Sequence, residues 1–512
     1  MADYATDLVA YHARVRGDAI AIESLETGEE VSWALFEDRV ARLTGVLAGE
    51  FGVRQGDRVA VLAENDVMVL YLQFACFRVG AMFVPYSWRL TAPKLEFYCK
   101  NIEPTMLLHD RPYAELAHSL VEATGVPRIG GWDAGDGGSS ADLRELLAQA
   151  EPLRARRLNL LDDTAQLLYT SGTTGMPKAA ICTFASLVTH AANVMLPMTI
   201  TSESRHLAML PFFHAAGLNA ITNPVLMNGG RVVVARRFDP ELAVRTISDP
   251  ANRMTHFSGA PAMYQVMADQ PDHGDYSTMV LGQVGGGYLA PDLMNGFAER
   301  GLICCSGYGA TEMGPSASNV PPADALRKPT SLGIPVQHTH LRVVKEDGED
   351  AAVGEIGEVW VSGPAITKGY WRRDVDIDGA FHDGWFRSGD AVRADDDGFL
   401  YMTGRYKEMY KSGGENVFMA EVEAVLIEHP AVTEVAIIGV RDARWGEVGR
   451  AVVVPAEGSE VDLESIREFC APRLAKFKIP ASVVVLDEPL PRNVTGKVIK
   501  AELRSRFGEA SE

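Results

Sequence analysis

Short apolar runs alternate with stretches of helical spacing through residues 19–150. The runs at 58–63, 81–85 and 104–109 are continuous enough for buried strands. This alternation predicts a mainly parallel sheet with helices on its faces. Residues 184–195 have helical spacing, 205–214 read as a strand ending at a turn, and 230–235, 254–261 and 279–287 form a third alternating block. From 340 to 402 the period changes to two, with Gly and Asp at the turns, which predicts antiparallel sheet. A fresh β–α pattern then begins, with strands at 432–439, 450–455 and 482–486 and a helix at 463–474. Residues 130–141, rich in Gly, Asp and Ser, read as a surface loop.

The apolar run at 167–169 breaks into a loop of small and hydroxylated residues, Thr170, Ser171, Gly172, Thr173, Thr174 and Gly175, followed by Met176, Pro177 and Lys178. Gly172 and Gly175 open backbone conformations closed to other residues, so successive N–H groups can turn inward. The hydroxyls add donors, and Lys178 adds a charge that can follow a leaving polyphosphate. The common P-loop differs, with Lys directly after the second Gly and then Ser or Thr. Taken alone, the segment could equally be a linker or turn.

Other segments carry candidate chemistry. In the run from Ser306 to Met313, Tyr308 offers a flat ring to a purine, Gly309 lets the chain pass beside it, and Thr311 can bond a phosphate oxygen. Glu312 offers a hard oxygen ligand for magnesium. Gly285, Gly286 and Gly287 end an apolar run, where something approaches the backbone closely or the chain bends sharply. His214, among Phe212, Phe213, Ala215 and Gly217, is either a satisfied core residue or a functional group. Asp390 reads as a turn carboxylate, and Lys497 lies in a Pro/Gly loop.

In this order the segments resemble the motifs of the adenylate-forming (AMP-binding) superfamily, acyl-CoA synthetase or acid–CoA ligase branch. The resemblance covers nearly the whole chain, with one departure at Ala179, where the family usually has Gly. It implies an α/β fold: a large N-terminal domain of two αβ-layered subdomains plus a β subdomain, and a small mobile α+β C-terminal domain. The corresponding bounds are 1–404 for the large domain, 405–410 for the hinge and 411–512 for the small domain.

The implied reaction is ATP-dependent activation of a carboxylic acid to an acyl-adenylate with pyrophosphate release, then transfer to the thiol of coenzyme A. ATP, Mg2+ and coenzyme A are the implied cofactors. By resemblance the 170–175 loop, Lys178, the glycine triplet, Tyr308, Gly309, Thr311, Asp390, Arg405 and Lys497 bind the nucleotide. Lys497, Lys178, Glu312 and Thr311 are the implied catalytic residues, and Glu312 with Thr170 the implied metal ligands. His214, Gly217, Gly285, Gly287 and Met313 would line the acyl pocket. Lys407 would stand at the hinge and Gly413 and Gly414 beside a pantetheine channel; Trp445 and Phe477 would contact coenzyme A or simply pack.

Bulk properties narrow the picture. The 512 residues exceed one core, and 47% hydrophobic with 23% charged residues is ordinary globular composition. A net charge of −20 disfavours nucleic acid and anionic membrane surfaces as partners. The six cysteines lack metal or disulfide spacing and read as buried small hydrophobes. With neither leader nor membrane span in the pattern, a cytoplasmic monomer or homodimer is expected. Residues 412–416 resemble the CoA-synthetase form of their loop, and the chain ends after the small domain, so coenzyme A is the favoured acceptor. A freestanding enzyme loading an acyl carrier protein, or one passing the activated group to an amine, is the alternative. Small residues at 215–217 and 285–287 suit an aromatic ring or a medium acyl chain, with no second cation evident for a diacid.

Overall fold

Asp66 and Gly80 bracket a helix, Val67–Val79. The Asp66 carboxylate accepts the Met68 N–H, and Gly80 closes the helix at φ 82°, a left-handed conformation open to glycine. Every residue of it but Val79 is buried, and burying each large apolar side chain contributes about 1.5–3 kcal/mol. A helix buried on every face belongs between layers. The computed structural model that shows this describes residues 3–133, 141–154, 158–170, 177–271, 274–373, 379–492 and 498–508.

The chain divides into two compact units, Met1–Leu341 with Val361–Phe386, and Arg342–Trp360 with Arg387–Glu512. In the first, the described strands form two large sheets. One has the order Ala141–Asp142, Ile129–Trp132, Met106–Asp110, Arg58–Leu62, Met82–Tyr86, Thr164–Thr170, Lys178–Thr183. Its pairs are parallel except the last, where Thr170 lies opposite Lys178 in an antiparallel turn-back. The other places Cys304–Tyr308, Leu281–Gly285, His256–Gly259, Arg205–Ala208, Arg231–Val234 and Ile20–Ser24 side by side in parallel, with antiparallel strands at both edges.

Gly130 and Gly131 lie in a strand, where a loop was expected. A Cβ on Gly131 would come 2.6 Å from the His109 ring, so this glycine serves close packing against a buried imidazole. Residues 134–140 of that stretch lie outside the described residues.

The strands His340–Val344, Ile356–Ser362 and Trp385–Ala394 each carry the chain from one unit into the other. The second unit pairs Trp385–Ala394 antiparallel with Leu400–Arg405, Asp390 opposite Arg405. Its further sheet runs Glu415–Phe418, Met409–Ser412, Gly446–Pro455, Val432–Asp442, with Ser482–Val485 parallel to Gly446–Pro455. Helices Met419–Leu426, Leu463–Cys470 and Lys500–Phe507 complete an α+β unit with its own apolar core, including Val417, Val422, Ile437, Ile466 and Leu503. The hinge expected at 405–410 lies inside this second unit.

All six cysteines are buried free thiols, as expected. Among the described residues no helix is long and apolar enough to cross a membrane.

Candidate functional site

Lys178 begins the strand Lys178–Thr183, directly across from Thr170, whose hydroxyl lies 3.5 Å from the Lys178 carbonyl. Lys178 is only 5% exposed. The segment 367–371 runs along this strand: the Ile181 N–H donates to the Gly369 carbonyl and the Trp371 N–H to the Ala179 carbonyl. That docking delivers Tyr370, whose ring centroid stands 5.1 Å from the Lys178 ammonium. The Tyr370 hydroxyl donates to Glu312 Oε1 at 2.9 Å. Glu312 is itself buried, in the one-turn helix Thr311–Met313, and its carbonyl accepts the Thr367 N–H. A cation and a carboxylate from motifs far apart in sequence are thus held on one tyrosine. Spacing alone did not reveal Tyr370.

The strand Thr164–Thr170 is fixed by a closed set of buried amides. Gln166 donates to Gln73 at 2.8 Å, Gln73 to Asn223 at 2.8 Å, Asn223 to Asn219 at 2.7 Å and Asn219 to Gln166 at 2.8 Å. In low dielectric such a satisfied ring is rigid. It ties the helix Val67–Val79 to that strand and to the segment after His214. Asn65 adds a clamp, donating to the Leu210 carbonyl at 3.0 Å and accepting the Phe212 N–H at 2.8 Å.

His214 is therefore held at a fixed turn, its ring 4.4 Å from that of Phe213. Burial, with the Arg89 cation adding to it, pushes its pKa down to about 4, so the imidazole is neutral at physiological pH. Gly217 has a different reason from the one expected. A Cβ there would overlap the Pro211 backbone, so the space is filled by the turn itself and is not room for an acyl group. Gly285 and Gly286 do face open space, Gly286 at φ 77°, while Gly287 would place a Cβ 3.1 Å from Pro261. Gly309 lets the chain pass the Pro315 backbone, and Tyr308 and Met313 are buried beside it.

In the second unit Asp390 and Arg405, expected separately at a ribose, are cross-strand partners: Arg405 Nε lies 2.8 Å from Asp390 Oδ1. Lys407 lies in the one-turn helix Tyr406–Glu408. Gly413 and Gly414 form the tight turn between Ser412 and Glu415 at φ 60° and 91°. The Gly413 N–H donates to the Trp445 carbonyl at 2.8 Å, and a Cβ on Gly413 would approach the indole to 3.0 Å. Trp445 and Phe477 both present exposed rings. Ser171, Gly172, Thr173, Thr174, Gly175 and Lys497 lie outside the described residues.

A two-layered αβ unit with a buried Lys–Tyr–Glu cluster at its strand ends, joined to a small α+β unit, defines a nucleotide-activating class of enzyme. The chain belongs to the AMP-binding enzyme family: its model matches residues 9–371, and the family's C-terminal domain matches residues 421–497. Relatives in this family include a feruloyl-CoA synthase of Amycolatopsis sp, 38% identical over 97% of both chains. An indoleacetate–CoA ligase of Aromatoleum aromaticum is 36% identical over 96% of both. Among solved structures, ATP-bound MatB from Rhodopseudomonas palustris superposes with a TM-score of 0.87 at 29% identity, covering 98% of this chain and 99% of that one.

Proposed function

We propose that this chain is an AMP-forming acid–CoA ligase that activates an aromatic carboxylic acid. The observation that carries the reading is the Lys178–Tyr370–Glu312 cluster beside the phosphate-loop strand. A carboxylate is a poor electrophile, and joining it to AMP makes it a good one. In the first step the acid's oxygen attacks the α-phosphorus of ATP, the bond to pyrophosphate breaks, and an acyl-adenylate forms. In the second, the thiol of coenzyme A attacks the acyl carbon, and AMP leaves.

Positioning and electrostatics supply this chemistry without a protein nucleophile. Lys178 stabilises the phosphate charge that grows as pyrophosphate leaves, and Lys497 neutralises charge on the attacking and bridging oxygens. Tyr308 stacks on the adenine, while Asp390 and Arg405 hold the ribose. Magnesium fits the donors present. Among the described residues no three His, Cys, Asp or Glu side chains gather into a cage, and Mg2+ is ordinarily held by one or two carboxylates plus substrate phosphates. Glu312 and Thr170 would hold it, and the bound ion would neutralise the phosphate oxygens. Lys407 is the pivot in this reading, exchanging Lys497 for the Gly413–Gly414 turn between steps and excluding water from the adenylate.

An aromatic acid is supported by the open space before Gly285 and Gly286 and by relatives named for ferulate and indoleacetate. The test is pyrophosphate release with ATP and magnesium across a panel of carboxylic acids, with and without coenzyme A, followed by mass spectrometry. A thioester formed only with coenzyme A from cinnamates, benzoates or arylacetates is expected. Pyrophosphate without thioester would move the second step to a carrier protein or an amine. Turnover confined to acetate and malonate would overturn the aromatic assignment.

A further inference from the structure

The sheet strands beside the open glycines carry an unexplained pair of amides. Gln283 and Asn319 are each 5% exposed, yet among the described residues Gln283 Oε1 and both Asn319 Oδ1 and Nδ2 lack any hydrogen-bond partner. Elsewhere the same chain closes its buried amides into a ring, as Gln73, Gln166, Asn219 and Asn223 do. Buried polar atoms left open carry a cost unless something else meets them.

Register places these amides on one face. Gly285 is the Cα partner of Gly307, and Asn319 is the partner of Gly307 on its other side. Gln283 stands two residues before Gly285, hence on the same face and roughly 7 Å further along the strand. Both amides converge on the space a Cβ would take at Gly307: Asn319 Oδ1 comes within 2.5 Å of that point and Gln283 Nε2 within 3.1 Å. Gly285, next to it, faces open space. Ser306 Oγ also lacks a partner, but by alternation it lies on the opposite face and takes no part.

The row is uncharged. Gln283 has Ser258 and Cys305 as its strand neighbours, and burial pushes the Cys305 thiol up to about 12. A carboxylate would bring only acceptors and a charge to a row without a cation. A hydroxyl both donates and accepts, which matches an amide oxygen beside an amide N–H.

We infer that Gln283 and Asn319 form the polar end of the acid pocket and select an aromatic acid that carries a hydroxyl at the end of its ring remote from the carboxylate. This rests on the acid–CoA ligase reading above. The test compares kcat/KM of the full chain, with ATP, magnesium and coenzyme A, for paired acids: 4-hydroxycinnamate against cinnamate, and 4-hydroxyphenylacetate against phenylacetate. The hydroxylated member should be favoured at least about tenfold, because its absence leaves the amides unpaired. In the Gln283→Met/Asn319→Leu double variant that preference should fall to within about twofold of unity, chiefly by loss on the hydroxylated acid.

Each single variant should lower the ratio part of the way, which keeps the comparison available if the pair does not fold. Melting without substrate is the second readout. Apolar replacements should hold or raise Tm, whereas a fall beyond about 5 °C would make the amides structural and overturn the proposal. A flat ratio in the wild type with thioester formed from any acid would remove the polar end and leave the ligase intact. Absence of pyrophosphate release from every acid would remove both.

Discussion

The Lys178–Tyr370–Glu312 cluster of the first unit and the Gly413–Trp445 turn of the second are held in opposite ways. Lys178 and Glu312 are buried, each engaged with Tyr370, so their charges stand in place before any substrate arrives. Trp445 and Phe477 present exposed rings, and Gly413 and Gly414 form a two-residue turn at positive φ. Fixed dipoles in a dry site lower a barrier because they need no reorganisation. A surface that receives a large cosubstrate gains instead from access. The contrast predicts that substitutions in the Lys178–Tyr370–Glu312 cluster act on the adenylation rate, and substitutions at the Gly413–Gly414 turn and Trp445 on the affinity for the thiol donor.

The largest effect is expected from Glu312→Gln. Its amide oxygen can still accept from Tyr370, so Tm should change little, while acid-dependent pyrophosphate release should fall about 10²- to 10³-fold. A fall in Tm matching the lost activity would make Glu312 a structural residue and break the comparison.

Acidity should separate the two units next. The described histidines with lowered pKa all lie in the first: burial pushes His190 and His214 down to about 4 and His206 to about 3, and lowers His12 and His256. Between those values and the unperturbed 6.5, the unfolded chain binds more protons than the folded one. Their stabilisation is complete above the unfolded value and is lost as pH falls from there toward 4. At about pH 5 each of these three deeply buried imidazoles costs about 2 kcal/mol. Hydrogen exchange at about pH 5 and about pH 7.5 should show protection lost first in the first unit; equal loss in both would remove this distinction.

How far the sequence foretold this arrangement depends on the range of each interaction. Local signals were reliable: the helix expected at 184–195 is Phe184–Met195, and the strand expected at 58–63 is Arg58–Leu62. Each motif residue could be picked out where residue type and neighbours agreed. What remained hidden were partnerships across sequence. Tyr370 meets Glu312 over 58 residues, and Gln73 meets Gln166 over 93; neither leaves a local pattern. Gly217 and Gly131 looked like room and a loop, yet the Pro211 backbone and the His109 ring take those spaces. A glycine's purpose is set by what lies opposite, which only the fold supplies. Asp390 and Arg405 were legible singly, but their pairing follows from the hairpin register.

Tyr370→Phe should have an intermediate effect. It keeps the ring beside Lys178 and removes the hydroxyl from Glu312 Oε1. A hydrogen bond to a charged group contributes about 1.5–3 kcal/mol, so kcat for adenylation should fall at least about tenfold, with KM for ATP altered less. If kcat is unchanged, the Thr367 N–H on the Glu312 carbonyl is enough to place the carboxylate.

The smallest effect belongs to the second unit. Trp445 is 47% exposed, and its backbone is fixed by its own N–H donating to Asp442 Oδ1 at 2.8 Å and its carbonyl accepting from Gly413. Trp445→Ala should therefore leave the turn intact and remove only the ring. Stacking on an exposed aromatic contributes about 0.5–1.5 kcal/mol, which corresponds to a rise in KM for coenzyme A of about two- to thirteenfold. Pyrophosphate release without coenzyme A should stay within about twofold of wild type, since the loss is confined to binding the thiol donor. Gly413→Ala sharpens the test, because its Cβ would come within 3.0 Å of the indole at a φ of 60°. A Gly413→Ala defect larger than that of Trp445→Ala would show that the turn matters more than the ring. A defect in pyrophosphate release from either would mean that this turn bears on adenylation as well as on thiol binding.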